Sequence, residues 1–209
     1  MEHILENLTE LHLVGYGGLG REIEFLLNSN YPKLQIFLYD DNSTVLKAKK
    51  ISELKSINKS ICCVITVGDP KVKETLFNFL KDNSNLHFPN IIFAKFDTYK
   101  FAICNKIGVG NIIMPQSIIG FNSIIGNFNL FGVNSGVGHD ASIGNYNFIG
   151  PNCFLAGNVN IANSCKLSFG TFILQKTKLV SNINTMPYTS IYKNLKIPGS
   201  YHGNPAKII

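Results

Sequence analysis

From Phe101 to Leu179 every sixth residue of this 209-residue chain is large and apolar: Phe101, Ile107, Ile113, Ile119, Ile125, Phe131, Val137, Ile143, Ile149, Leu155, Ile161, Leu167, Ile173 and Leu179. A helical stripe recurs at three or four residues and a half-buried strand at two, so this period excludes both and points to a coiled ribbon of very short strands, a parallel β-helix. The residue after each large one is small in most repeats, as at Gly108, Gly120, Gly126, Gly138, Gly150, Ala156 and Ser168, so that position tolerates little side chain. Four residues after the large one stands another mostly small residue, including Ser117, Ser135, Ala141, Cys153, Cys165 and Thr171. Two inward side chains per strand then share a narrow interior. Each coil buries its apolar residues only against its neighbours, so the stack stands or falls together.

Three hexads to a coil, stacked at roughly 4.8 Å, predict a prism between four and five coils tall. The same division sorts the outward residue just before each large one. One face carries Ile112, Leu130, Phe148 and Lys166, the next Ile118, Gly136, Phe154 and Phe172, and the third Lys106, Ile124, Ser142 and Asn160. Columns of exposed Ile, Leu and Phe are costly in a soluble monomer, which predicts that two faces pack on another subunit or on the rest of the chain.

The repeats claim residues 101–184, leaving an amino-terminal domain over 1–95, a linker at Lys95 to Lys100, and an irregular tail over 185–209. No apolar run is long enough to span a bilayer, and MEHILENLTELH has neither a basic leader nor an apolar signal core, which predicts a cytoplasmic protein without membrane attachment. The five cysteines, Cys62, Cys63, Cys104, Cys153 and Cys165, lack metal-ligand spacing and read as reduced core thiols, so no metal is expected. The formal charge of +6 comes from scattered lysines without a basic helix or RNA-binding aromatic motif, which argues against nucleic acid and suits a phosphate-rich small ligand.

The first domain opens with a strand at Leu11–Val14, a glycine turn, and a helix to about Asn28. Gly15, Gly17 and Gly20 satisfy G-x-G-x-x-G, and Asp40-Asp41 closes a second strand, QIFLYDD. This is a Rossmann-like opening, with glycines that turn tightly, helix-start amides facing an anion, and a carboxylate placed for ribose or base donors. A third strand at Ile61–Val67, a helix from Pro70 to about Asp82 and a short strand near Asn90–Ala94 complete one mononucleotide-binding half. A second half has no room, and nothing suggests a redox site, so a nucleotide sugar is favoured over NAD.

One hexad differs chemically, Val137-Gly138-His139-Asp140-Ala141-Ser142. It places His139 at a corner of the prism beside an apolar face, where a neutral imidazole could act as general base and Asp140 could orient it; a solvated turn histidine is the alternative. His3, His12, His87 and His202 are weaker candidates, near the terminus, in the connecting segment, or in the tail.

With the GYGGLGREI opening, Asp40-Asp41, GHDASIG, LAGNVNIA and the closing Gly203-Asn204-Pro205-Ala206-Lys207, the chain resembles the hexapeptide acyltransferases that include sialic acid O-acetyltransferases and N-acetyltransferases of nucleotide-activated 4-amino sugars. The resemblance implies a left-handed helix, a homotrimer, acetyl-coenzyme A as acyl donor, and a nucleotide-linked amino-dideoxy sugar as acceptor. It implies His139 as general base with Asp140 as its supporting acid, Gly157 as the backbone position lining the thioester, and Pro205 and Lys207 in a tail near coenzyme A. It implies Gly15, Gly17, Gly18, Asp40 and Asp41 as the nucleotide-sugar pocket. Phe148 stands near coenzyme A where relatives carry a second histidine, and Gly138 where an acid often precedes the base. The expected reaction is direct acetyl transfer to a 4-amino group, with sugar O-acetylation or a non-catalytic nucleotide-sugar-binding trimer as alternatives.

Overall fold

The computed structural model describes residues 4–42, 44–94 and 106–209. It divides into two compact units, residues 2–91 and 92–209. The expected linker at Lys95 to Lys100, with Phe101 and Cys104, lies outside the described residues.

In the first unit β1 (Glu10–Val14), β2 (Gln35–Tyr39), β3 (Ile61–Ile65) and β4 (Leu86–His87) form a parallel sheet in the order β2-β1-β3-β4. Residues Leu11 to Val14 are fully covered, as a central parallel strand with both faces packed requires. Helix α1 (Gly18–Asn30) buries Gly20, Ile23 and Leu27 at helical spacing. It runs two residues past the expected end because Ser29 and Asn30 bond back to the Phe25 and Leu26 carbonyls. Helix α2 (Pro70–Leu80) starts where Gly68-Asp69-Pro70 predicts. The Asp69 carboxylate accepts from the Lys71 and Val72 amides, and Pro70 fills a first-turn position that needs no donor. The two-residue β4 had no pattern of its own in the sequence.

The second unit is a left-handed parallel β-helix. Its strands are two residues long for most of the run and stack in three columns, each residue pairing with the one eighteen positions away. Every large hexad residue from Ile113 to Leu179 points inward and is buried. The small residue that follows is dictated by the next coil: a Cβ on Gly138 would lie 2.6 Å from the Gly157 nitrogen. One further regularity sets the corners. The third residue after each large one, from Gln116 to Tyr188, is left-handed, with φ between 54° and 62° wherever it is not glycine. Asn122, Asn134, Asn152, Asn158 and Asn182 suit that conformation. Phe128 and Tyr146 do not, and their rings stack on each other 5.6 Å apart.

The prism is taller than the hexad run implies. Ser190–Ile191 extends the second column, and Ile183–Thr185 and Gly199–His202 extend the first, whose sheet has eight strands among the described residues, from Ile91–Ile92 at one end to Lys207–Ile208 at the other. In the last coil Leu179 pairs with Leu195 and Ile183 with Gly199, a spacing of sixteen. Two residues are missing from that coil after Ile191, which breaks the hexad count without ending the stack. The chain then turns back, and Lys207–Ile208 pairs antiparallel to Tyr201 and His202.

The two apolar faces differ in fate. On the first, Ile112 and Leu130 are buried within this chain; on the second, Ile118 is 63% and Phe154 52% exposed, with Phe121 and Ile124 exposed beside them.

Candidate active site

His139 and Asp140 form the corner between the second and third columns, one coil above Phe121-Asn122 and one coil below Gly157-Asn158. The main chain fixes this corner from both sides. The Asp140 amide donates to the Phe121 carbonyl at 2.9 Å, and the His139 carbonyl accepts from the Asn158 amide at 2.8 Å. A left-handed Asp140, φ 55°, brings its carboxylate back onto the neighbouring imidazole, with Oδ2 2.7 Å from His139 Nδ1. The His139 imidazole, then the Asn122 amide at 2.7 Å, hold the Asp140 carboxyl below its ordinary value.

With Nδ1 donating to the carboxylate, Nε2 carries the lone pair on a side chain that is largely exposed. Above Nε2 lies Gly157. A Cβ built there would stand 2.7 Å from Nε2 and 2.9 Å from Cε1, so the missing side chain leaves the ring its place. At the corner between the third and first columns, Asn127, Asn145 and Asn163 occupy the equivalent position, and their side-chain oxygens take the amides of Val109, Asn127 and Asn145 on the coil before. At the histidine corner no side chain does this, and among the described residues the Gly157 amide has no acceptor.

The other expected site residues are more dispersed. Phe148 is half-buried in the first column, between Leu130 and Lys166. In a three-sided prism that face is opposite the corner between the second and third columns, so one protomer does not unite Phe148 with His139. Pro205 and Lys207 are exposed on the terminal turn that closes the first column, at the far end of the stack from the coil of His139.

In the first unit Gly15, at φ +91°, has the Val67 side chain 2.5 Å from where its Cβ would be, while Gly17 and Gly18 face open space at the start of α1. Asp40 stands just beyond β2, and its carboxylate is already engaged: it accepts from the Tyr16 amide in the glycine turn and from the Asn42 amide. Asp41 accepts from the Ile51 amide at 3.1 Å. The acidic pair therefore shapes the turn as well as bordering it. Among the remaining histidines, His12 is buried in β1, bonded to the Tyr39 hydroxyl and stacked on Phe37; His87 and His202 are exposed, and His3 is outside the described residues. Asn122 escaped sequence reasoning, although counting back one coil of eighteen from Asp140 finds it.

Residues 122–157 match the family described as bacterial transferase hexapeptide (six repeats). The histidine corner lies inside that matched segment. A search of curated protein sequences finds no match. Among solved structures, the acetyltransferase domain of PglB from Neisseria gonorrhoeae in complex with acetyl coenzyme A is similar at TM-score 0.85 and 18% identity, over 97% of this chain and 100% of that one. A histidine-to-asparagine variant of perosamine N-acetyltransferase from Caulobacter crescentus, in complex with CoA and GDP-perosamine, is similar at TM-score 0.82 and 19% identity, over 96% of each chain. WeeI from Acinetobacter baumannii follows at 0.71 and 20%, over 96% and 100%. At these identities the likeness is one of fold, and it extends from the hexapeptide repeat through the amino-terminal unit.

Proposed function

We propose that the protein is an acetyl-coenzyme A-dependent N-acetyltransferase acting on the 4-amino group of a nucleotide-linked amino-dideoxy sugar for bacterial glycan biosynthesis. The observation that carries this is the corner itself. An imidazole with Nδ1 held by a carboxylate presents Nε2 beside a side-chain-free residue, on a hexapeptide prism joined to a glycine-turn domain. Solved relatives of that two-part fold hold acetyl coenzyme A, or CoA with GDP-perosamine, which supports both substrates.

His139 Nε2 takes the proton from the acceptor nitrogen as that nitrogen bonds to the thioester carbon, and Asp140 stabilises the imidazolium that forms. The Gly157 amide, lacking an acceptor among the described residues, is available to the oxyanion of the tetrahedral intermediate. As that intermediate collapses the carbon–sulfur bond breaks, and the imidazolium returns the proton to the departing thiolate. An acyl-enzyme is not needed, and burial pushes the Cys153 and Cys165 thiols up to about 11, away from nucleophilic use. The nucleotide binds at Gly15, Gly17 and Gly18, where the first amides of α1 face the diphosphate and Asp40 and Asp41 border the base or ribose. Both substrates are cytoplasmic metabolites, and the free thiols of Cys62, Cys63, Cys153 and Cys165 suit that compartment.

The assembly in this reading is a homotrimer. Ile118, Phe121, Ile124 and Phe154 leave a continuous apolar strip flanking the histidine corner, and Phe148 on the opposite face reaches such a corner only from another copy. Pro205 and Lys207 then border the coenzyme A cleft from above. Phe154→Asp is expected to convert a species of three times the chain mass to monomer in sedimentation, with loss of activity, and an unchanged mass would refute the strip as an interface.

The direct test is thiol release from acetyl-coenzyme A with UDP-, dTDP- and GDP-linked 4-amino sugars, and with free sialic acid. Turnover on an amino sugar supports the reading. Turnover on sialic acid alone replaces it with O-acetylation, and nucleotide-sugar binding without turnover replaces it with a binding trimer.

A further inference from the structure

We infer that Asn122 is a positioning residue for the His139–Asp140 pair, a role whose catalytic meaning rests on the acetyl-transfer reading. Asn122 and Asp140 are the left-handed residues of the same corner on successive coils, at φ 58° and 55°. That conformation stacks their side chains, and Asn122 Nδ2 donates to Asp140 Oδ1 at 2.7 Å while Oδ2 faces His139 Nδ1 at 2.7 Å. Both carboxylate oxygens are thereby committed. Because an ionised carboxylate only accepts, the amide orientation at Asn122 is fixed by chemistry.

The stacking itself belongs to the coil. At another corner Asn134 Nδ2 meets Asn152 Oδ1 at 2.6 Å, where the residues just before them are Val133 and Pro151. What is particular to this corner is the acid in the upper position and an imidazole just before it. Asp140 is exposed, and an exposed carboxylate on a free rotamer would spend much of its time in water, leaving the imidazole to choose its own tautomer. Here Gly138 stands on the other side of His139, so no second acid supplies the constraint from the chain itself. Phe121 below the histidine, and Gly157 and Asn158 above it, carry no charge. Apart from the imidazole itself, the anchor of the carboxylate among the described residues is therefore the Asn122 amide, and through it Nδ1 keeps the proton and Nε2 the lone pair.

The test reads the imidazole directly, in the full-length protein without substrates. Long-range proton–nitrogen spectra of the histidine rings, assigned with His139→Gln, are expected to show His139 mainly as the Nδ1–H tautomer when neutral. Asn122→Gly keeps a left-handed corner without strain and removes the donor, and should shift the ring toward a tautomer mixture. Asn122→Asp also removes the donor and sets a second carboxylate against Asp140, which should shift the ring in the same direction. With an accepted amino-sugar substrate, Asn122→Gly should lower kcat about fivefold, the factor for one hydrogen bond of ordinary net strength, with KM unchanged. A tautomer ratio identical to wild type in both variants would overturn the role. Loss of the acetyl-transfer reading would show separately, as His139→Ala retaining full turnover.

Discussion

Replacing His139 by alanine is expected to lower kcat for acetyl transfer by about a thousandfold, within the span that a positioned general base contributes. The acceptor amine becomes acidic only as its nitrogen bonds to the thioester carbon, and without Nε2 that proton passes to water from an unorganised position. Binding should survive, because the imidazole is 63% exposed and among the described residues its side-chain partner is Asp140. Coenzyme A affinity by calorimetry and the melting temperature should therefore match wild type. The corner is held by the main chain, through the Asp140 amide on the Phe121 carbonyl and the Asn158 amide on the His139 carbonyl, and neither bond depends on the side chain. An undiminished kcat would remove His139 from the chemistry and leave the prism as a platform for a base supplied from elsewhere. Slow turnover with an unchanged pH dependence would do the same.

The prism was legible because its information is local. Each coil repeats the same contacts, so a hexad count finds the inward positions and a division by eighteen finds the columns. The count fails where two residues drop out of the last coil, since Leu195 and Tyr201 keep their places in the stack while losing their places in the period. The corner conformation was hidden in plain residues. Asn122, Asp140 and Tyr188 share φ values near 57°, and only the first two are types that advertise it. In the first unit the glycine turn and Asp69 cap were readable from residue type. The engagement of Asp40 was not, because the donor is the Tyr16 main chain, which every sequence supplies. Lys73 carries the same lesson for burial: on a pattern basis it is a helix-surface lysine, whereas desolvation inside this unit pulls it down to about 7.

Gly157→Ala tests the same corner from the coil above and should cost about a hundredfold in kcat. The three atoms nearest to a Cβ at this position are all in the His139 ring, Nε2 at 2.7 Å, Cε1 at 2.9 Å and Cδ2 at 3.1 Å. The closest opposition to the methyl group is thus a movable side chain, and φ at Gly157 is one that any residue adopts, so the fold accommodates alanine. What gives way is the exposed imidazole, displaced by about an ångström from a position where such a shift can cost 10²-fold in rate. The loss should appear in kcat with little change in coenzyme A affinity or melting temperature, and a second variant separates the two roles assigned to this residue. In Gly157→Ala/His139→Ala the methyl group has no ring to displace, so only its effect on the oxyanion amide remains. If the double variant is no slower than His139→Ala, Gly157 acts by leaving room for the base. If it is slower by a further order of magnitude, the amide contributes on its own. A single Gly157→Ala variant with wild-type kcat would contradict the first role, because a methyl group cannot share that space with the ring as it stands.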